Sequence, residues 1–109
     1  MKKLVLVSAL LALVCACAPR ADEITPAAIS TSQYAGWGCE RLAREKAFTD
    51  EALTRASDEQ DSAARRDAMT VFLIGVPVSG GGVKGEVARL KGNQEAIRRT
   101  MVARDCPTA

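Results

Sequence analysis

Once Gly36 and Gly38 are passed, nothing in the sequence breaks a helix until about Val71, and this uninterrupted stretch most constrains what the chain can become. It is rich in alanine and charged residues. Glu40 and Arg44, Arg41 and Glu45, Glu51 and Arg55, and Asp61 and Arg65 are all four apart, the spacing that brings opposite charges together on a helix surface. A long solvated helix follows. Its apolar stripe is thin: Leu42, Leu53, Ala56 and Ala63 lie near one face, and Thr49 and Gln60 interrupt it. Such a helix is marginal alone in water and requires a partner.

The partner is in the sequence. From Val83 the helical period returns through Val87, Leu90, Ile97 and Met101 in steps close to four and three, with Gln94 at the missing step. Glu95 and Arg99 form another spaced pair, Arg98 to Arg104 place positive charge where the helix dipole favours it, and Pro107 closes the element. Gly92 costs about 1 kcal/mol against Ala in a helix interior and marks a close approach by the other helix. Between the two helices lies an apolar run, residues 69–78, followed by Ser79 and Gly80, Gly81 and Gly82; Pro77 and these glycines supply the chain reversal.

The expected fold is therefore all-α, a long antiparallel helical hairpin over residues 34–106 with a short tail at 107–109. The first helix, about 45 Å long, overruns the second, about 32 Å. Either it bends or the apolar run folds back, so an extra bend or short helix is expected around residues 69–78. Two readings of that run stand open. It is a cap folded over the hairpin tip, or a wedge that contacts a membrane or a protein partner through Phe72, Leu73, Ile74 and Val76.

The N-terminus reads as a targeting device. Lys2 and Lys3 precede an apolar stretch, residues 4–14, which is interrupted only by Ser8 and followed by small residues. At about 16 Å it is too short to cross a hydrocarbon core of roughly 30 Å. Val14, Cys15, Ala16 and Cys17 resemble a bacterial lipobox, so residues 1–16 are expected to be removed and Cys17 to carry lipid. Cys15 fits less well because Val14 stands where a small residue is wanted. A cut after Ala18 would instead release a soluble periplasmic protein. Lipoprotein sorting by the residue after the modified Cys, here Ala18 and not Asp, points to a periplasm-facing position on the outer membrane. Several acyl chains exceed what stable anchoring needs.

Of the four cysteines, Cys39 and Cys106 then remain as an even pair in an oxidising compartment, expected as a disulfide. A zinc or redox site would want a close Cys-x-x-Cys pair or His partners, and the sequence has no His. Two unpaired buried thiols are the remaining alternative. In an antiparallel hairpin Cys39 opens the first helix and Cys106 follows the second, so their ends meet. Closing 67 residues is worth about 4 kcal/mol in the chain-entropy account.

Residues 18–33 hold two Pro, several Ala, Ser and Thr, and few bulky side chains. With Cys17 they read as a lipidated flexible tether, residues 17–33, letting the folded part stand about 20 to 25 Å off the membrane. Without Lys2 and Lys3 the chain is formally neutral, with 13 bases and 13 acids, which argues against nucleic acid as a partner. Residues 22–61 hold nine acids against four bases, and residues 84–105 six bases against three acids, so the two halves are expected to pair.

Tyr34, Cys39, Leu42 and Glu45, a long polar helix with Asp67, the apolar stretch with Gly75 and Pro77, then Arg89-Leu90-Lys91-Gly92, Ala96 and Cys106 resemble a family of small Gram-negative bacterial lipoproteins. The resemblance spans about residues 34–106. In that family the apolar stretch is often longer and richer in aromatics, and an acid commonly follows the Lys-Gly pair where this chain has Asn93. The family has no established activity, so the resemblance implies a fold and a compartment without a mechanism.

Catalytic chemistry finds little to work with, and no catalytic residue, metal site or cofactor is expected. The glycines before Lys84 lack P-loop spacing and read as a plain turn, not an anion cradle. Asp58, Glu59 and Asp61 point in different directions on a helix and lack the oxygen cage calcium needs. Tyr34 and Trp37 are expected to pack on the disulfide end. The expected function is non-enzymatic, that of a structural or accessory envelope lipoprotein held to the membrane by its lipid and docking onto another envelope protein. The alternative is a small ligand-binding or stress-responsive module that uses the apolar run as its pocket.

Overall fold

The computed structural model describes residues 17–107, so the expected signal peptide, with Cys15, lies outside the described residues. Two helices dominate: α1, Cys39–Ile74, and α2, Lys84–Ala103. They pack as an antiparallel hairpin, and Cys39 and Cys106 are disulfide-bonded with their Cα atoms 5.4 Å apart, closing its open end. The molecule is a rod measuring 61 × 26 × 18 Å.

The seam on α1 runs through Leu42, Lys46, Thr49, Leu53, Ala56, Gln60, Ala63 and Asp67, alternating steps of four and three over the length of the contact. Leu42, Thr49, Ala56, Gln60, Ala63 and Asp67 are buried there, and Lys46 and Leu53 half-buried. On α2 the answering positions Val87, Leu90, Ile97 and Met101 are buried. Gln94, the expected polar step, donates from Nε2 to Asp50 Oδ1 at 2.8 Å, and Lys46 Nζ reaches Asp50 Oδ2 at 2.7 Å. At this level Lys46, Asp50 and Gln94 fill the seam with hydrogen bonds and not with apolar bulk, which suits a chain so poor in large side chains.

The apolar core divides into two clusters. At the disulfide end Tyr34, Leu42, Ala96, Ile97, Met101 and Cys106 pack together with Ile29, Trp37 and Cys39 at their edge. Tyr34 and Trp37 meet edge to face at 5.1 Å, as expected of a pair on this end. Further along, Ala21, Ala56, Val87 and Leu90 form a second cluster bordered by Ile24, Ala52, Leu53 and Val83.

The segment expected to be a flexible tether is folded. Residues 18–38 run back along the hairpin from its turn to its disulfide end, passing through short 3-10 turns at Ala21–Glu23 and Thr31–Tyr34. Ala18 and Ala21 are buried, the Ala27 amide donates to the Ala88 carbonyl at 2.8 Å, and Lys91 Nζ donates to the Ala21 and Ile24 carbonyls at 2.6 and 2.8 Å. Arg99 donates to the Ile29 carbonyl. Small side chains, read as lack of core, are what let this strap lie close. Gly92 is buried beneath it: a Cβ there would collide with the Ala27 carbonyl oxygen and the Ile29 side chain. The close approach marked by Gly92 is therefore that of the strap and not of the other helix.

Ion pairing also differs from expectation. Glu40–Arg44 and Glu51–Arg55 form at 3.0 and 2.7 Å. Arg41 instead stacks on the Trp37 ring at 3.7 Å, Arg65 donates to Ser62, and Asp61 accepts the Ala21 amide. Arg99 of the expected Glu95 pair goes to the strap. Among the described residues the ion pairs are local in sequence, so the acidic and basic halves do not pair across the seam as expected. Exposed pairs are worth little in water, so little is lost when a side chain such as Arg99 takes another partner.

Candidate functional site

The turn end of the rod combines a buried polar knot with an exposed apolar end. No separate short helix forms around residues 69–78; α1 continues unbroken to Ile74 and stops at Gly75, whose φ of +80° is the left-handed conformation open to glycine, with its amide donating to the Val71 carbonyl. The chain then doubles back through Pro77 to Ser79 alongside the last turns of α1 and reverses through Gly80, Gly81 and Gly82, all with positive φ.

Asp67 and Gln60 organise this end. Asp67 is fully buried. Its Oδ2 accepts the Ala18 amide at 2.8 Å and the Ser79 hydroxyl at 2.5 Å, and its Oδ1 accepts the Val78 and Ser79 amides at 3.1 and 2.9 Å. No cation is among these partners. The Ser79 hydroxyl and then the Ala18 amide, with the amides of Ser79 and Val78, outweigh desolvation and hold the carboxyl down at about 2. Gln60, also fully buried, donates from Nε2 to the Pro19 and Gly81 carbonyls at 2.7 and 3.1 Å and accepts the Val83 amide at 2.7 Å. Two side chains of α1 thereby fasten the start of the strap and the whole reversal to the helix. Gly82 sits directly on Gln60 and Ala63, where a Cβ would not fit.

Beyond the knot the apolar run faces solvent. Phe72 is 86% exposed, and Met69, Leu73, Ile74, Val76 and Val78 are exposed with it. The expectation of a cap folded over the hairpin tip is overturned. Gly75 ends α1 about two turns past Asp67, where α2 no longer runs alongside, so the run has nothing to cover. A shallow groove of about 470 Å³, lined by Ser62, Arg65, Arg66, Met69, Thr70 and Val78, flanks it. The apolar side chains stand outward on the helix end and do not wall a pocket. Another groove, of about 580 Å³, lies toward the disulfide end among Ala43, Lys46, Asp50, Arg98, Met101 and Val102.

Of the residues singled out in the sequence, Cys39 and Cys106 are joined, and Phe72, Leu73, Ile74 and Val76 lie together on the exposed end. Cys17 is half-buried, outside any disulfide, and adjacent to Ala18 in the knot. Asp58 and Glu59 are exposed on α1, and among the described residues no three His, Cys, Asp or Glu side chains gather as metal ligands. Among those residues no helix is long and apolar enough to cross a membrane. No family model, curated protein or solved structure matches this chain. Asp67 and Gln60 were missed as organising groups; the available signal was that both fall, seven apart, on the four-and-three period of the seam that also carries Leu42, Leu53, Ala56 and Ala63.

Proposed function

We propose that this protein is a non-enzymatic envelope lipoprotein, processed before Cys17, lipidated there, and placed on the periplasmic side of the outer membrane as a structural or accessory interaction module. The observation that carries the reading is the Ala18 amide bonded to the buried carboxylate of Asp67. A chain that begins at Cys17 keeps every contact described above, whereas a cut after Ala18 removes a buried residue and one of the four donors that hold Asp67. The lipobox-like Val14, Cys15, Ala16 and Cys17, the closing disulfide suited to an oxidising compartment, and the exposed apolar end support the same assignment. The hairpin serves as a stiff arm: its seam is filled by side chains and its open end is bridged.

Labelled fatty acid supplied to cells tests the reading. Label is expected in the wild type and in Cys15→Ala but not in Cys17→Ala, with the labelled protein co-sedimenting with outer membrane. Equal label in Cys17→Ala overturns the assignment of the anchor. An unlabelled, freely released wild type overturns the lipoprotein reading in favour of a soluble periplasmic protein.

A further inference from the structure

The anchor cysteine and the exposed apolar end lie at the same end of the rod, and we propose that the lipid bilayer holding the acyl chains of Cys17 is what covers Phe72, Leu73, Ile74 and Val76. This rests on the lipid-anchor reading above and adds to it a second, non-covalent membrane contact and a fixed orientation. One peptide unit, about 3.8 Å, separates Cys17 from Ala18. Ala18 is held by the carboxylate that also holds Val78 and Ser79, the return limb of the apolar run. No slack remains for the body to stand off the surface, so the apolar end is kept beside the bilayer at high effective concentration.

The dimensions match an interfacial contact. Phe72 and Ile74 lie five and seven residues beyond Asp67, about 7.5 and 10.5 Å further along the helix axis. Apolar faces of membrane-surface segments settle about 5 to 10 Å into the headgroup and acyl boundary. The charge pattern matches as well. Between Asp67 and Lys84 the sequence carries no charged residue, while Arg65, Arg66 and Lys84 are exposed around the base of the apolar end. That is an apolar tip with a cationic collar, suited to acyl chains below and anionic headgroups around it. The contact stays shallow, because Gly75 ends the helix and its terminal carbonyls prefer a hydrated boundary. With this end down, the disulfide end stands about 40 Å from the membrane, 28 residues back along α1.

The test uses the full acylated protein reconstituted into vesicles of phosphatidylethanolamine and phosphatidylglycerol containing lipids brominated near the top of the acyl chain. The chain has one Trp, Trp37, at the disulfide end. Its emission is expected to be unaffected by bromine, whereas a Trp37→Phe, Phe72→Trp protein is expected to show blue-shifted, strongly quenched emission. A photo-crosslinker at Leu73, with Trp37 left in place, gives an independent reading and is expected to yield lipid adducts in the envelope. Acylated, vesicle-bound protein with an unquenched Phe72→Trp probe overturns this inference and leaves the anchor reading standing. So does a discrete protein adduct at Leu73 in place of lipid. Failure of Cys17 to acquire any acyl chain overturns the anchor reading and this inference with it.

Discussion

Asp67 accepts the backbone amide of Ala18, 49 residues earlier in the chain, at 2.8 Å, and so fastens the start of the strap to the far end of the first helix. The same carboxylate takes three donors from Val78 and Ser79. Asp67→Asn is expected to break this arrangement, because an amide group turns one acceptor into a donor facing the amides and hydroxyl it must bind. The expected outcome is a fall in Tm of several degrees and early proteolytic cleavage near residues 18–24, with the helical circular dichroism signal largely kept.

A pH dependence follows from the same carboxylate. Its pKa is about 2 in the fold, against about 3.9 for an unperturbed Asp. A depressed folded pKa means the stabilisation is fully present above about pH 4 and is lost as pH falls toward 2. Thermal unfolding between pH 5 and pH 2 is expected to show a drop in Tm that is reduced in Asp67→Asn.

Loss of the Cys39–Cys106 bridge is expected to cost about 4 kcal/mol, because it closes a loop of 67 residues in the unfolded chain. Urea unfolding of the oxidised protein against a Cys39→Ala, Cys106→Ala double variant measures it. Coincident unfolding curves would contradict the expectation.

Gly92→Ala sets two effects against each other. Helix propensity favours Ala by about 1 kcal/mol. The added Cβ, however, meets the Ala27 carbonyl oxygen, a backbone atom that cannot swing aside, and overpacking of this kind typically costs about 1 to 3 kcal/mol. Net destabilisation is expected, with faster hydrogen exchange at the Ala27 amide, which loses its bond to the Ala88 carbonyl.

Charged substitutions on the apolar end should separate surface from core. Phe72→Asp and Val76→Asp remove exposed side chains and are expected to change stability by no more than about 0.5 kcal/mol. They are expected to abolish crosslinking from neighbouring positions to lipid. Loss of helicity in either variant would show that the segment is needed for folding.

The two helices, their antiparallel pairing, the reversal at Pro77 to Gly82 and the meeting of Cys39 with Cys106 were determined by the sequence alone. Each depends on local signals: a long stretch free of Gly and Pro, a period close to 3.5, a breaker cluster, and cysteines at matched ends. What only the tertiary structure decided is where polar groups find partners. A carboxylate at 67 reads in sequence as one more solvated charge, because nothing local announces that Ala18, Val78 and Ser79 will all turn their donors toward it. Likewise residues 18–33 have too little apolar bulk to signal burial, yet they lie along both helices, because Asp67, Asp61 and Gln60 of α1 hold their start, Gly92 leaves room on α2, and Lys91 and Arg99 bind strap carbonyls. The exposure of Phe72 is also a tertiary outcome. An apolar sequence says that burial is favourable, but α1 runs past the end of α2, and no segment of the described chain reaches far enough to bury it.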